Sequence, residues 1–167
     1  RDQRLRWVVL GSFAVRLLVA VVLYASSYWR WPLLSSLQLG KGFWIFGLDS
    51  RAYDYFGRIV AESWAKGFEL PKPEIGFEYI AFVAGWYRLL GAHPLGPIVA
   101  GCWLAALNGL LAYLIGRKLA GHRAALLGAT LVGFWPSSLL WSSQLLKDPL
   151  SWSLLFAAFW LAVRAGP

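Results

Sequence analysis

Two groups of charged residues, far apart in the chain, have the types and spacing to do chemistry: Asp49-Ser50-Arg51-Ala52-Tyr53-Asp54 and Lys147-Asp148. A carboxylate at a membrane–water boundary can act as general base toward a hydroxyl or amide acceptor, or can ligate a divalent cation. A lysine beside it can offset the charge of a phosphate leaving group. More ordinary roles stand next to these. Asp49 also reads as a helix N-cap, Asp54 as half of a solvated ion pair, and Lys147-Asp148 as the polar end of an apolar span. His93 and His122 lack metal-ligand spacing and read as surface residues, and Gly40-Lys41-Gly42 lacks the phosphate-loop pattern.

The element that must position the first group is a helix over 50–66. Tyr53, Phe56, Val60 and Trp64 recur at helical spacing on one face, and Asp54, Arg58, Glu62 and Lys66 form an i,i+4 ladder of alternating charge on another. Asp49 or Ser50 is placed to cap its start and Gly67 to end it. Too short in apolar length to cross a bilayer, it belongs in the membrane interface.

Composition sets the surroundings. The 167 residues are 59% hydrophobic and 14% charged, with mean hydropathy +0.55, too apolar for an ordinary soluble domain. Eleven Trp and seven Tyr suit interfacial anchoring. The net charge of +8 is dispersed among apolar runs rather than gathered on one face, which argues against a nucleic-acid partner and for anionic lipid or a phosphate-bearing substrate. The single cysteine, Cys102, excludes an internal disulfide and a cysteine metal cluster.

The expected fold is all-α, a single polytopic membrane domain over 1–167. Spans are expected at 7–28, 95–116, 124–146 and 150–164, the first of them long enough at helical rise to cross a hydrocarbon core of about 30 Å. Between the first two lies a long outer loop over 29–94, punctuated by Pro and Gly, with interfacial helices at 50–66 and 78–91. The segment 78–91 is assigned to the surface because the basic turn Arg117-Lys118…Arg123 then falls inside, as the positive-inside rule prefers. Arg16, deep in the first span, reads either as a functional charge facing the bundle interior or a water-filled cavity, or as a structural one with a buried partner such as Asn108 or a backbone carbonyl. Pro136 should kink or end the third span, and Pro149 should open the last helix. In this topology Asp49, Asp54, Lys147 and Asp148 all reach one face of the membrane, and both chain ends lie inside.

At this point the chain resembles the N-terminal part of the GT-C superfamily of polytopic membrane glycosyltransferases. The residues that carry the resemblance are the acidic motif Asp49–Asp54, the run from Leu107 to Gly128 with its basic turn, and Trp135-Pro136 followed by Ser143–Leu150. The middle run looks like the protein-mannosyltransferase-like and aminoarabinose-transferase-like branches. The resemblance implies sugar transfer from a polyprenyl-phosphate-linked donor at the outer face of a bacterial or archaeal cytoplasmic membrane. It makes Asp49 the catalytic acid–base residue and Asp148 an acid that orients substrate. Lys147 becomes a donor-phosphate contact, and Asp54 and Arg51 are further substrate contacts. A divalent cation, if the reaction uses one, falls to Asp49 and Asp148. The chain is much shorter than those enzymes, which motivates an alternative: a non-catalytic helical subunit packing against other membrane subunits.

Overall fold

The computed structural model describes residues 3–67 and 76–166. Arg1, Asp2, Glu69, Pro71, Pro73 and Glu74 lie outside the described residues. The elements run α1 Gln3–Tyr28, β1 Gln38–Gly40, β2 Phe43–Trp44, α2 Asp49–Lys66, α3 Phe77–Leu90, α4 Leu95–Phe134, α5 Pro136–Ser142 and α6 Asp148–Ala165. Of these, α1 and α4 are long and apolar enough to cross a membrane.

Helix α4 is two arms rather than one rod. Gly121 has φ 83° and ψ 176°, a backbone state open to glycine, and it breaks the helix inside the basic turn. The arms 95–120 and 122–134 fold back on each other along small residues. A methyl placed on Gly116 would lie 3.0 Å from Ala125 Cα, and one on Gly109 would lie 3.3 Å from the Ala129 carbonyl oxygen. Such stripes let helix backbones meet where hydrophobic driving force is weak. The tip is closed by Tyr113 Oη and His122 Nδ1 at 3.0 Å. Lys118 reaches across to donate to the carbonyls of Val163 and Arg164, so the basic turn and the end of α6 share one end of the bundle.

The expected third span, 124–146, is not one helix. Its first part ends at Phe134, Trp135 is extended at φ −61° and ψ 123°, and α5 restarts with Pro136 at its first turn. The cause is chemical: the N–H that would bond Val132 O belongs to position 136, where proline has none. Arg16 fills the gap. It is fully buried in α1 and donates from Nη2 to Val132 O at 3.2 Å and Gly133 O at 2.8 Å, and from Nη1 to Ser138 O at 2.7 Å. Ser12, Ser138 and Ser142 hydroxyls take its remaining bonds. The partner is thus a set of backbone carbonyls and hydroxyls, not Asn108. A cation facing the C-terminal carbonyls of a helix arm is also the favourable sense of the helix dipole.

Between α1 and α2 the chain is more ordered than a plain loop. β1 and β2 pair antiparallel, Gln38 with Trp44 and Gly40 with Phe43, around Lys41-Gly42. Both turn residues have positive φ, 54° and 89°, as the tight primed hairpin turn requires. The hairpin is tied to the end of α1 by Ser27 Oγ donating to Phe43 O at 2.6 Å and Trp44 Nε1 donating to Leu23 O at 3.0 Å.

Helix α2 spans the expected residues and ends at Gly67 in the left-handed region. Its start differs from expectation: Leu48 occupies the cap position, no side chain caps the helix, and Asp49 is its first-turn acid. Its apolar face is divided: Tyr53 and Val60 are buried, Phe56 and Trp64 are exposed, and Ser50, Gly57, Ala61 and Ser63 complete the packed side. The reason is Gly57, where a methyl would lie 2.6 Å from Val83 Cγ1, so α3 approaches the small residue rather than the large ones. Gly57→Ala should therefore destabilise the protein by about 1–3 kcal/mol through overpacking. Denaturant titration of Gly57→Ala, Val83→Ala and the double variant checks this. The double variant should recover most of the loss made by Gly57→Ala, and strict additivity would contradict the contact.

Candidate functional site

The segment leading into α2 lies on the turn before α6. A methyl on Gly47, just before α2, would be 3.1 Å from Ser50 Oγ and 3.6 Å from Gln144 Cγ, in the turn before α6. Leu145 and Leu146 of that turn are buried in one apolar cluster with Phe43, Tyr53, Val60 and Tyr79. This cluster brings α2 and the start of α6 together, although their sequences are far apart.

Tyr53 marks the meeting point. Its ring packs edge-on against Tyr79 with centroids 4.7 Å apart. Burial, and after it the carboxylates of Asp49 and then Asp148, raise the Tyr53 phenol above its ordinary pKa. Both acids therefore act on one ring. Asp49 itself is exposed on the first turn of α2, Arg51 is exposed beside it, Lys147 is exposed, and Asp148 is half-buried at the start of α6. Among the described residues neither Asp49 nor Lys147 makes an ion pair, and there is no cluster of three or more His, Cys, Asp or Glu placed to hold a metal ion.

Asp54 is separate from that pair and firmly held. Arg58 donates to both its oxygens, at 2.9–3.1 Å, and Tyr87 Oη donates to Oδ1 at 2.5 Å from α3. The Arg58 guanidinium also sits 5.4 Å from the Tyr87 ring centroid. Burial first, then its bond to Asp54, pushes the Tyr87 phenol well above its ordinary pKa, which keeps it a donor. The expected i,i+4 ladder is present as Asp54–Arg58 and Glu62–Lys66 at 2.9 Å and 3.9 Å. The Asp54 carboxylate is thus a clasp between α2 and α3.

A cavity of about 540 Å³ opens between the arms of α4, α5 and α6. Its walls include Trp135, Trp141 and Trp152, and Asp148 lines it together with Asn108, Ser138 and Ser142. No spacing in the sequence announces this site, because its lining comes from four helical segments and depends on the break at Trp135-Pro136. The nearest sequence signal is the pair of tryptophans, Trp135 and Trp141, each closely followed by two serines, Ser137-Ser138 and Ser142-Ser143.

The architecture is that of a helical protein in which two helices, among the described residues, are long and apolar enough to cross a membrane. Comparison with known proteins finds no matching family model, no matching curated protein and no matching solved structure.

Proposed function

We propose that this chain is the membrane-embedded module of a GT-C-type glycosyltransferase that moves a sugar from a polyprenyl phosphate to an acceptor at the outer membrane face. The helices cross four times in this reading: α1, the first arm of α4, the second arm completed by α5, and α6. Asp49 takes the proton of the acceptor hydroxyl or amide as the acceptor atom attacks the anomeric carbon with inversion. The bond from that carbon to the phosphate oxygen breaks, and the phosphate leaves with the electron pair. Lys147 and Arg51 face the departing charge, while Asp148 orients the substrate. The observation that carries the reading is the approach of Gly47 to Gln144, with Tyr53, Leu145 and Leu146 in one apolar cluster, which supports a shared location for the two charged groups.

A second reading, the non-catalytic membrane subunit, draws on α6, where Pro149 is the one buried residue and Trp152, Leu154, Leu155, Phe159 and Leu161 are all exposed. Binding of a polyprenyl-phosphate analogue in nonionic detergent separates the two. Lys147→Arg should keep part of the affinity, and Lys147→Glu should lose about tenfold or more, with the difference shrinking at high salt. Equal affinity in wild type and both variants would favour the subunit.

A further inference from the structure

The strap that joins α1 to β1 has no part in the transfer chemistry. Every residue from Tyr28 to Leu37 is exposed, and Tyr28, Trp29, Trp31, Leu33, Leu34 and Leu37 are large and apolar. A continuous exposed patch of this kind marks an interaction surface. Its shape is fixed from inside. Gln38 Nε2 donates to the carbonyls of Trp31 and Leu33 at 2.8 Å and 2.7 Å, and the Trp31 N–H donates to Ser26 O at 2.9 Å. Backbone groups satisfied in this way let apolar side chains project without carrying bare polar atoms into an apolar medium. The rings continue from the helix into the strap, Tyr24 stacking on Tyr28 at 5.7 Å and Trp29 on Trp31 at 6.0 Å between centroids.

Place and charge narrow the partner. Helix α1 has 26 residues, about 39 Å at helical rise, against a hydrocarbon core of about 30 Å, so the strap leaves it at the depth of lipid headgroups. Tryptophan and tyrosine favour that depth. Beside the rings are two cations brought together by the hairpin. A methyl on Gly40 would lie 3.7 Å from Arg30 Nη2, and Lys41 is the next residue. Both are exposed, and among the described residues neither makes an ion pair. No Asp or Glu occurs between residues 3 and 48. Another protein could meet the same leucines, but two unpaired cations with no nearby acid in sequence fit a surface that carries phosphates.

We propose that the strap and the turn at Lys41 form a binding surface for anionic phospholipid. Trp29, Trp31, Leu33 and Leu34 enter the boundary between headgroups and acyl chains, and Arg30 and Lys41 pair with the lipid phosphates. This rests on α1 crossing a bilayer and not on the transferase reading, so either can fail without the other.

The test uses the full chain with Cys102→Ala and Leu33→Cys, labelled at residue 33 with an environment-sensitive dye and reconstituted in vesicles of phosphatidylcholine and phosphatidylglycerol. One of the two lipids at a time carries bromine on its acyl chains as a contact quencher. Each cation near the surface should favour the anionic lipid by about fivefold, so brominated phosphatidylglycerol should reach half-maximal quenching at a mole fraction about fivefold or more below that of brominated phosphatidylcholine. Arg30→Gln with Lys41→Gln should erase the preference while the dye stays in contact with lipid, and added salt should narrow it. Because the preference is read first with both cations in place, a double variant that fails to fold leaves that comparison to decide. Equal quenching by the two lipids, or a preference that survives in the folded double variant, would overturn the proposal. So would a dye reached by aqueous iodide but not by brominated lipid, or one reached by neither, as under a second copy or another protein. Loss of the quenching by brominated phosphatidylglycerol on adding a trace of polyprenyl phosphate would assign the surface to that lipid instead and also overturn it.

Discussion

Arg16→Met is expected to lose on the order of 3–5 kcal/mol of stability, the range seen when one side of a buried charged network is removed. The loss has a specific origin. Met removes the guanidinium donors from the carbonyls of Val132, Gly133 and Ser138 and from the hydroxyls of Ser12, Ser138 and Ser142, and at Val132 O the missing N–H of Pro136 supplies no helix bond in their place. Each buried acceptor left unpaired costs about 1–3 kcal/mol, partly relieved where a second donor remains, as Ser12 Oγ does for Gly133 O. Arg16→Lys should recover only part of the stability, since an ammonium has three donors on one atom and cannot span acceptors on both sides of the break. Unfolding of both variants in a graded denaturing detergent checks this. Wild-type stability in Arg16→Met would mean that the break is held by other contacts.

The second large effect is on chemistry. In the transferase reading, Asp49→Asn should lower sugar transfer by roughly 10²–10⁴-fold, the usual contribution of a positioned base. The structure sharpens this, because Asp49 is exposed and makes no capping bond to α2. Asp49→Ala should therefore leave stability as unchanged as Asp49→Asn does, whereas loss of a true N-cap would cost about 1 kcal/mol. Transfer from a polyprenyl-phosphate-linked sugar in membranes that contain the intact chain, measured alongside thermal stability, separates base from cap. Full transfer by Asp49→Asn would remove Asp49 from the mechanism.

Helix α2 was legible because period, charge ladder and a terminal glycine all point to the same residues. Its packed side was less so. Hydrophobic periodicity favours Phe56 and Trp64, but helix pairs close on the smallest residue available, and Gly57 turned the helix toward Val83. Pro136 and Pro149 act where their missing N–H says they must. Arg16 shows the limit: a buried guanidinium demands acceptors, yet which carbonyls answer depends on a helix break over a hundred residues away. Asp54 found its second partner in Tyr87 on the next helix, and the cavity drew lining from four segments, neither of which any local pattern encodes.

The placement of Asp49 and Lys147 on one face of the membrane, opposite the basic turn, is the claim on which the functional account rests. It is tested most directly by labelling single cysteines with a membrane-impermeant thiol reagent in a Cys102→Ala background. Arg51, Lys147 and Ala120 are all exposed and suit the purpose. Arg51→Cys and Lys147→Cys should react from outside intact cells, and Ala120→Cys only after the membrane is opened. Labelling of Ala120→Cys from outside together with Arg51→Cys would contradict the account.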